Sequence, residues 1–382
     1  MDLKLFFDKL PDEFSNLATE NMLANVIVAN VEKMPSWKNA DIAILGINEY
    51  RGCFQAKNTS NSPNKIRKQL YKLFRSPHAY NIVDIGNLRN GENLEATYHR
   101  VSEVCEILLK NNVLPLIIGG SHDLMFAQYK GYEMLQKLID VVNIDAILDM
   151  QANSEEAASS HIHQLLIHEP NYLFSFTQLA YQNYLNDYQY INIIRNLEFD
   201  ILSVGEMRNN LQDIEPYIRN ADMLALDMKA VKQNSLIPND NALIFGLTVE
   251  ETCQLTWYAG INEKLSSIGF YGYLPEIDYN EQISHSIAVM IWYFIEGFYH
   301  RKGESVLSTA QHTKYIVPLA KTEENLIFYK SNLSEKWWLE VPVANEKPYN
   351  RHKIVPCSYQ DYLKALEGDL PDRWIKAVAR GI

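Results

Sequence analysis

Residues Asn143 to Ala157 read NIDAILDMQANSEEA. The stretch begins as an apolar run and ends in polar side chains. Read as a strand through Met150 and beyond, it puts Asp149, Gln151 and Asn153 on one face. Side chains two apart on an extended backbone point the same way. Polar groups at the carboxyl end of a buried strand are where ligands sit in open α/β sheets. With a single carboxylate among the three, the stretch is either a metal site or what is left of one.

Working outward, the chain repeats the same kind of unit. DIAILGI (Asp41 to Ile47), YNIVDIGN (Tyr80 to Asn87), VLPLIIGG, VVNIDAILDM, DILSVGE, ADMLALDM and LSSIGFYGY read as buried strands. Between them SPNKIRKQLYKLF opens with Ser-Pro and runs at helical period, and NLEATYHRVSEVCEILLKN is a longer amphipathic helix. TVEETCQLTWYAG has a Thr followed three residues later by Glu, a capping box. Strands that are apolar on both faces and alternate with helices predict an α/β protein, a central parallel sheet covered on both sides. Residues 1–304 read as one such domain with a helical lead-in. The short aromatic strands and closing helical piece of residues 305–382 read as an extension packed on it. The loop KPYNRHK near the end is given no function.

Composition narrows the function. A net charge of −12 over 382 residues, with no basic stripe, argues against nucleic acid as a partner. Cys53, Cys105, Cys253 and Cys357 are far apart and show no zinc spacing, which fits a reduced, cytoplasmic protein. The opening MDLKLFFDKLPDEFSN has no long apolar core and does not read as a signal peptide. The apolar run IAVMIWYFIEGFYH is too short to span a bilayer, so no membrane is expected.

Four polar clusters fall at predicted strand ends. They are Gly119-Gly120-Ser121-His122, Asp149-Met150-Gln151-Ala152-Asn153, Asp227-Met228-Lys229 and Glu276-Ile277-Asp278. On one edge of a parallel sheet they would share a crevice. In this order they resemble the ureohydrolase superfamily of arginases, agmatinases and formimidoylglutamases. Its members carry Gly-Gly-x-His, Asp-x-His-x-Asp, Ser-x-Asp-x-Asp and Glu-x-Asn-Pro. SPNKIRKQL and LSVGEMR resemble two further motifs of that family. The resemblance runs from about Asp41 to about His300. It implies a three-layer arginase-like fold, two bridged manganese ions, and hydrolysis of a guanidinium or amidine C–N bond by a bridging hydroxide.

Carried over residue by residue, the resemblance makes His122, Asp149 and Asp227 metal ligands. It puts Gln151 at the second histidine, Asn153 at the aspartate that holds the hydroxide, and Lys229 at the last aspartate. Ala225 stands at the serine. Glu276 faces the substrate's cationic group, with Asp278 and Tyr279 in place of Asn-Pro. A protonated lysine cannot ligate a metal, so the expected centre holds no ion or one weakly bound divalent ion, manganese by resemblance. If Lys229 points into the crevice, its ammonium would pair with Asp149 and Asp227 instead. His161, His163 and His168 in SSHIHQLLIHEP are further candidates, most simply helix-face residues.

Three readings follow. The first is a homologue that has lost half its metal ligands and is non-catalytic or weakly active, with a binding or regulatory role toward a small cationic amidine or amine. The second is an active C–N hydrolase of a linear amidine or guanidinium such as formimidoylglutamate or agmatine, with Glu276 and Asn153 as catalytic residues. The third is an assembly protein whose aromatic tail, around Tyr329, Trp337 and Trp338, forms contacts. A homo-oligomer, trimer or hexamer, is implied by the resemblance.

Overall fold

The computed structural model describes residues 3–15, 20–56, 59, 61–232, 244–304, 311–319, 325–342 and 354–380. The KPYNRHK loop lies outside these residues. The strands are β1 (Phe7–Asp8), β2 (Ile27–Ala29), β3 (Ile42–Gly46), β4 (Ile82–Leu88), β5 (Leu114–Ile118), β6 (Ile139–Ile144), β7 (Leu173–Tyr181), β8 (Asp200–Ser203), β9 (Met223–Asp227) and β10 (Ser267–Tyr271). The helices among them are α1 (Ser62–Leu70), α2 (Leu94–Lys110), α3 (Leu124–Lys130), α4 (His161–Ile167), α5 (Tyr188–Asn196), α6 (Val204–Asn209), α7 (Glu215–Arg219), α8 (Val249–Gly260) and α9 (Gln282–Tyr299).

These ten strands form one sheet in the order β1-β4-β3-β5-β10-β9-β6-β7-β8, with β2 also on β4. Only β1 runs antiparallel, against β4. Strands β3, β5, β6, β9 and β10 are buried at every residue, as their unbroken apolar runs require. Two hydrophobic clusters cover the two faces, one around Ile44, Leu116 and Phe294, the other around Leu45, Ile117 and Val101. The result is three layers, helix–sheet–helix.

Local rules hold where they were legible. Thr248 caps α8 by accepting from the Glu251 amide at 3.1 Å, and the Glu251 carboxylate accepts from the Thr248 amide at 2.7 Å. Arg67, from the Ile-Arg of α1, is fully buried against β4. Its Nε donates to Asp84 Oδ2 at 2.7 Å, and its Nη2 to Asp84 Oδ1 at 3.0 Å and to the Gly86 carbonyl at 2.9 Å. A buried guanidinium is tolerable only when paired and hydrogen-bonded in this way.

The described residues of the lead-in hold single 3-10 turns and no longer helix; Phe7–Asp8 and Ile27–Ala29 add edge strands to the sheet instead. Strand β7 was not expected, because Ser175, Thr177 and Gln178 interrupt its apolar pattern. The tail forms a separate four-stranded sheet of β11 (His312–Pro318), β12 (Asn325–Ser331), β13 (Trp337–Glu340) and β14 (Ile354–Cys357), followed by α10 (Tyr359–Leu366) and α11 (Asp372–Ala379). It has its own small core around Phe328 and Leu339. It meets the main layers through Arg219, which donates to the Trp337 carbonyl at 3.0 Å, and through the ion pair of Lys376 with Asp200 at 2.6 Å. Cys105, Cys253 and Cys357 are buried free thiols. No described helix is long and apolar enough to cross a membrane.

Candidate metal centre

Strands β5, β10, β9 and β6 are neighbours in the sheet, so their carboxyl ends lie side by side. After β5 the backbone turns at Gly119 and Gly120, at φ +88° and +81°, conformations that glycine adopts without steric cost. That turn delivers His122. Strand β9 ends on Asp227, and Asp145 follows β6 directly. After β10 comes Gly272, where a Cβ would sit 2.5 Å from Asp227 Oδ1. The glycine leaves room for the carboxylate.

The three ends converge on the Nδ1 atom of His122. Asp145 Oδ2 is 2.9 Å away, Asp227 Oδ2 3.3 Å and Asp149 Oδ2 3.6 Å. All four side chains are buried. These are ion-pair contacts, and His122 Nδ1, Asp145 Oδ2 and Asp149 Oδ2 have no hydrogen-bond partners. The other oxygens are tied down. Asp145 Oδ1 accepts from the Ile147 amide at 3.2 Å, and Asp227 Oδ1 accepts from the Lys229 amide at 2.7 Å.

A second layer sets the imidazole. Gln178 donates through Nε2 to the Asp145 carbonyl at 2.8 Å, and its Oε1 accepts from Asn143 Nδ2 at 2.9 Å. Asn143 Oδ1 is thereby left to accept from His122 Nε2, at 3.0 Å. A proton held on Nε2 turns the Nδ1 lone pair toward the carboxylates whenever the ring is neutral. The polar residues that disguised β7 in the sequence are part of this support.

Charge dominates the site. Burial opposes the His122 cation, but Asp227, Asp145 and Asp149 outweigh it and push its pKa up to about 10. Burial and the Asp227 charge raise Asp145 to about 7. Asp149 has its pKa lowered despite burial, through His122 and Lys229. Burial also opposes the Lys229 ammonium, yet Asp149, Asp227 and Asp145 hold it protonated, well above the usual lysine value. His161, at the start of α4, stacks edge-on against His122 with ring centroids 4.4 Å apart. Burial and the His122 charge push it down to about 3, so it is neutral.

The expected residues therefore divide. His122, Asp149 and Asp227 come together, with Lys229 acting on them. Gln151 and Asn153 do not join them: both are exposed and line a cleft of about 470 Å³ beside the site, with Ile147, Asp149, Asn186 and Tyr190. The reason is that β6 stops at Ile144 and Asp149 sits at φ +46°, so the two-residue alternation of a strand does not apply there. Asp145 takes the place beside His122 instead. Asp145-Ala146-Ile147-Leu148-Asp149 carries the carboxylate spacing of Asp-x-His-x-Asp, with Ile147 at the histidine. Glu276 is exposed and accepts from Thr59 Oγ1 at 3.2 Å. Asp278 caps α9, accepting from the Ser284 amide at 3.0 Å. His161 is in the cluster, whereas His168 pairs with Glu133 at 2.5 Å and His163 is half-buried on α4.

These atoms fit one cation. Three carboxylate oxygens lie within 3.6 Å of one imidazole nitrogen, three of these four atoms are buried without a hydrogen-bond partner, and hard oxygens with an imidazole suit a manganese-like ion. They do not fit two, because Ile147 has no donor atom and the protonated Lys229 has no lone pair.

Comparison with known proteins agrees with the fold. The arginase family profile matches residues 40–295. The formimidoylglutamase of Staphylococcus haemolyticus is 23% identical over 298 residues, 75% of this chain and 94% of that protein. That of Macrococcus caseolyticus is 24% identical over 247 residues, 62% and 78% of the two chains. The crystal structure of Bacillus subtilis formimidoylglutamase superposes with a TM-score of 0.66 at 16% identity, covering 76% of this chain and 97% of that one. Trypanosoma cruzi formiminoglutamase with two Mn2+ gives 0.63 at 17%, covering 70% and 96%. The chain belongs to the arginase family, within the ureohydrolase superfamily, and is formimidoylglutamase-like.

Proposed function

We propose that this arginase-family chain holds one divalent cation, manganese first, between His122, Asp145, Asp149 and Asp227, and that the Lys229 ammonium serves as the second positive charge of the centre. On this reading it is a slow hydrolase of a C–N bond in a linear amidine. Three buried ligand atoms without hydrogen-bond partners, the His122 nitrogen and the Asp145 and Asp149 oxygens 2.9 and 3.6 Å from it, support it. So does charge balance. A divalent ion and an ammonium carry three positive charges against the carboxylates of Asp145, Asp149 and Asp227. The chemistry that such an ion supplies when bound is Lewis acidity toward water and substrate.

The chain's own residues do the rest. His122 would hold the cation through Nδ1 once that nitrogen has lost its proton, with Asn143 keeping the ring in place. Lys229 offsets negative charge as water adds to the amidine carbon. His161 donates from Nδ1 to the Ala158 carbonyl, at 3.1 Å, and stays neutral beside His122, so the proton released by the added water passes directly to the leaving nitrogen. The C–N bond then breaks, giving an amide and an amine. Gln151, Asn153 and Asn186 line the adjoining cleft and would contact the substrate's tail.

The test is turnover of N-formimidoyl-L-glutamate and of agmatine with manganese, in the wild type and in Asp145→Asn. Slow turnover that Asp145→Asn abolishes is expected. Equal rates in both would overturn the reading. A second reading, a non-catalytic binding protein, is favoured by the same charges: protonated His122 and Lys229 go far toward neutralising the carboxylates without a metal. Metal bound without turnover of either substrate would select it. Assembly as a trimer or hexamer belongs to the same proposal, and light scattering checks it.

A further inference from the structure

A second cluster of ligand-type side chains lies away from this centre, at the far end of α9. Glu296 and His300 are four residues apart at the end of that helix, on one face. His78 reaches them from the connection between α1 and β4. One ring nitrogen of each histidine and one Glu296 oxygen lie within 4.8 Å of one another.

Each ligand is already oriented. The Tyr80 hydroxyl donates to Glu296 Oε1, leaving Oε2 turned toward His78 Nε2 at 3.7 Å. Glu296 itself is buried, at 2% exposure. His300 Nδ1 donates to the Glu296 carbonyl at 2.7 Å, so the Nε2 lone pair of the neutral ring is left for a cation. A ligating histidine is commonly held by such a bond from its other nitrogen, and a ligating carboxylate by a donor on its other oxygen. The His78 and His300 rings meet edge-on, with centroids 4.5 Å apart, and Trp257 of α8 lies 5.1 Å from the His300 ring.

Two further facts point to a ligand. His78 Nε2 is buried and has no hydrogen-bond partner, and an unmade bond of that kind is costly. The site also sits at the carboxyl end of an 18-residue helix, where the helix dipole favours positive charge. We propose that His78, Glu296 and His300 bind a first-row divalent cation of the zinc type, with a coordination position open to solvent on the exposed His300 side. Bound there, the ion fastens the α1–β4 connection to the last helix of the main layers. The site stands apart from the His122 centre and does not depend on how that centre works.

The experiment is zinc titration of the chelator-treated full chain, counting zinc per chain at equilibrium and following thermal unfolding. Asp145→Asn removes the first centre from the count, and His300→Ala, on an exposed side chain, removes the second. Asp145→Asn is expected to keep one zinc and a zinc-dependent rise in Tm. The double variant Asp145→Asn/His300→Ala is expected to lose both. Tyr80→Phe should weaken zinc binding by about 10- to 100-fold without removing a ligand. Should Asp145→Asn fail to fold, the wild type must bind one zinc more than His300→Ala. Zinc counts that His300→Ala leaves unchanged, or no zinc on Asp145→Asn with its fold intact, would overturn the assignment.

Discussion

Asp145 Oδ2 lies 2.9 Å from His122 Nδ1, closer than Asp227 or Asp149. This one contact fixes which carboxylates make the centre. Asp145→Asn is therefore predicted to abolish manganese binding. Asn153→Ala and Gln151→Ala, on the exposed cleft wall, are predicted to keep it and to raise KM for any substrate. Metal counts and steady-state kinetics on the three variants check this.

Lys229 and Ile147 are what limit the centre to one ion. Lys229→Asp with Ile147→His restores an imidazole and a carboxylate at the positions that lack them. The double variant is predicted to bind two manganese ions per chain. Its amidine turnover should exceed the wild type by roughly 100-fold, about 2.7 kcal/mol in the barrier. A count that stays at one would show that the surrounding backbone also excludes the second ion.

The metal-free chain should lose stability in alkali. His122 holds its proton up to about pH 10 when folded, against 6.5 for an ordinary histidine. The folded state binds more protons across that window. The stabilisation is complete below about pH 6.5 and is lost as pH rises through about 10. Urea unfolding at pH 7 and pH 9.5 should show wild type falling more than His122→Gln, by on the order of 2 kcal/mol. Manganese affinity should rise over the same range, because the ion displaces the Nδ1 proton.

The buried Arg67–Asp84 pair makes a stability prediction separate from the site. Arg67→Met leaves the Asp84 carboxylate uncompensated beneath α1. A loss of about 3–5 kcal/mol is expected, read by denaturant unfolding. Arg67→Met/Asp84→Leu should recover much of it, since the isolated charge is then gone.

Much of the fold could be read from the chain. The runs IAILG, LPLII and MLAL are apolar throughout and became central strands buried on both faces. Strand β7 could not be read that way. Its Ser175 and Gln178 are buried polar groups that bond Asp140 and Asn143, and their partners are visible only in three dimensions. The site shows the same division. His122, Asp227 and Lys229 follow from strand ends and spacing. Asp145 was hidden because Ala146, Ile147 and Leu148 continue the apolar run beyond it, so the strand looked longer than it is. His161 enters from α4, where a helical pattern carries no sign of which face meets the centre.

The most direct measurement is manganese per chain. It is made on His300→Ala, so that the cluster at the end of α9 cannot contribute, after incubation with excess manganese and desalting. One ion per chain, lost in His300→Ala/Asp145→Asn, is the predicted result. Two ions would show that Lys229 and Ile147 do not close the second position. None would show that the His122 and Lys229 cations already satisfy the three carboxylates and that no metal belongs there.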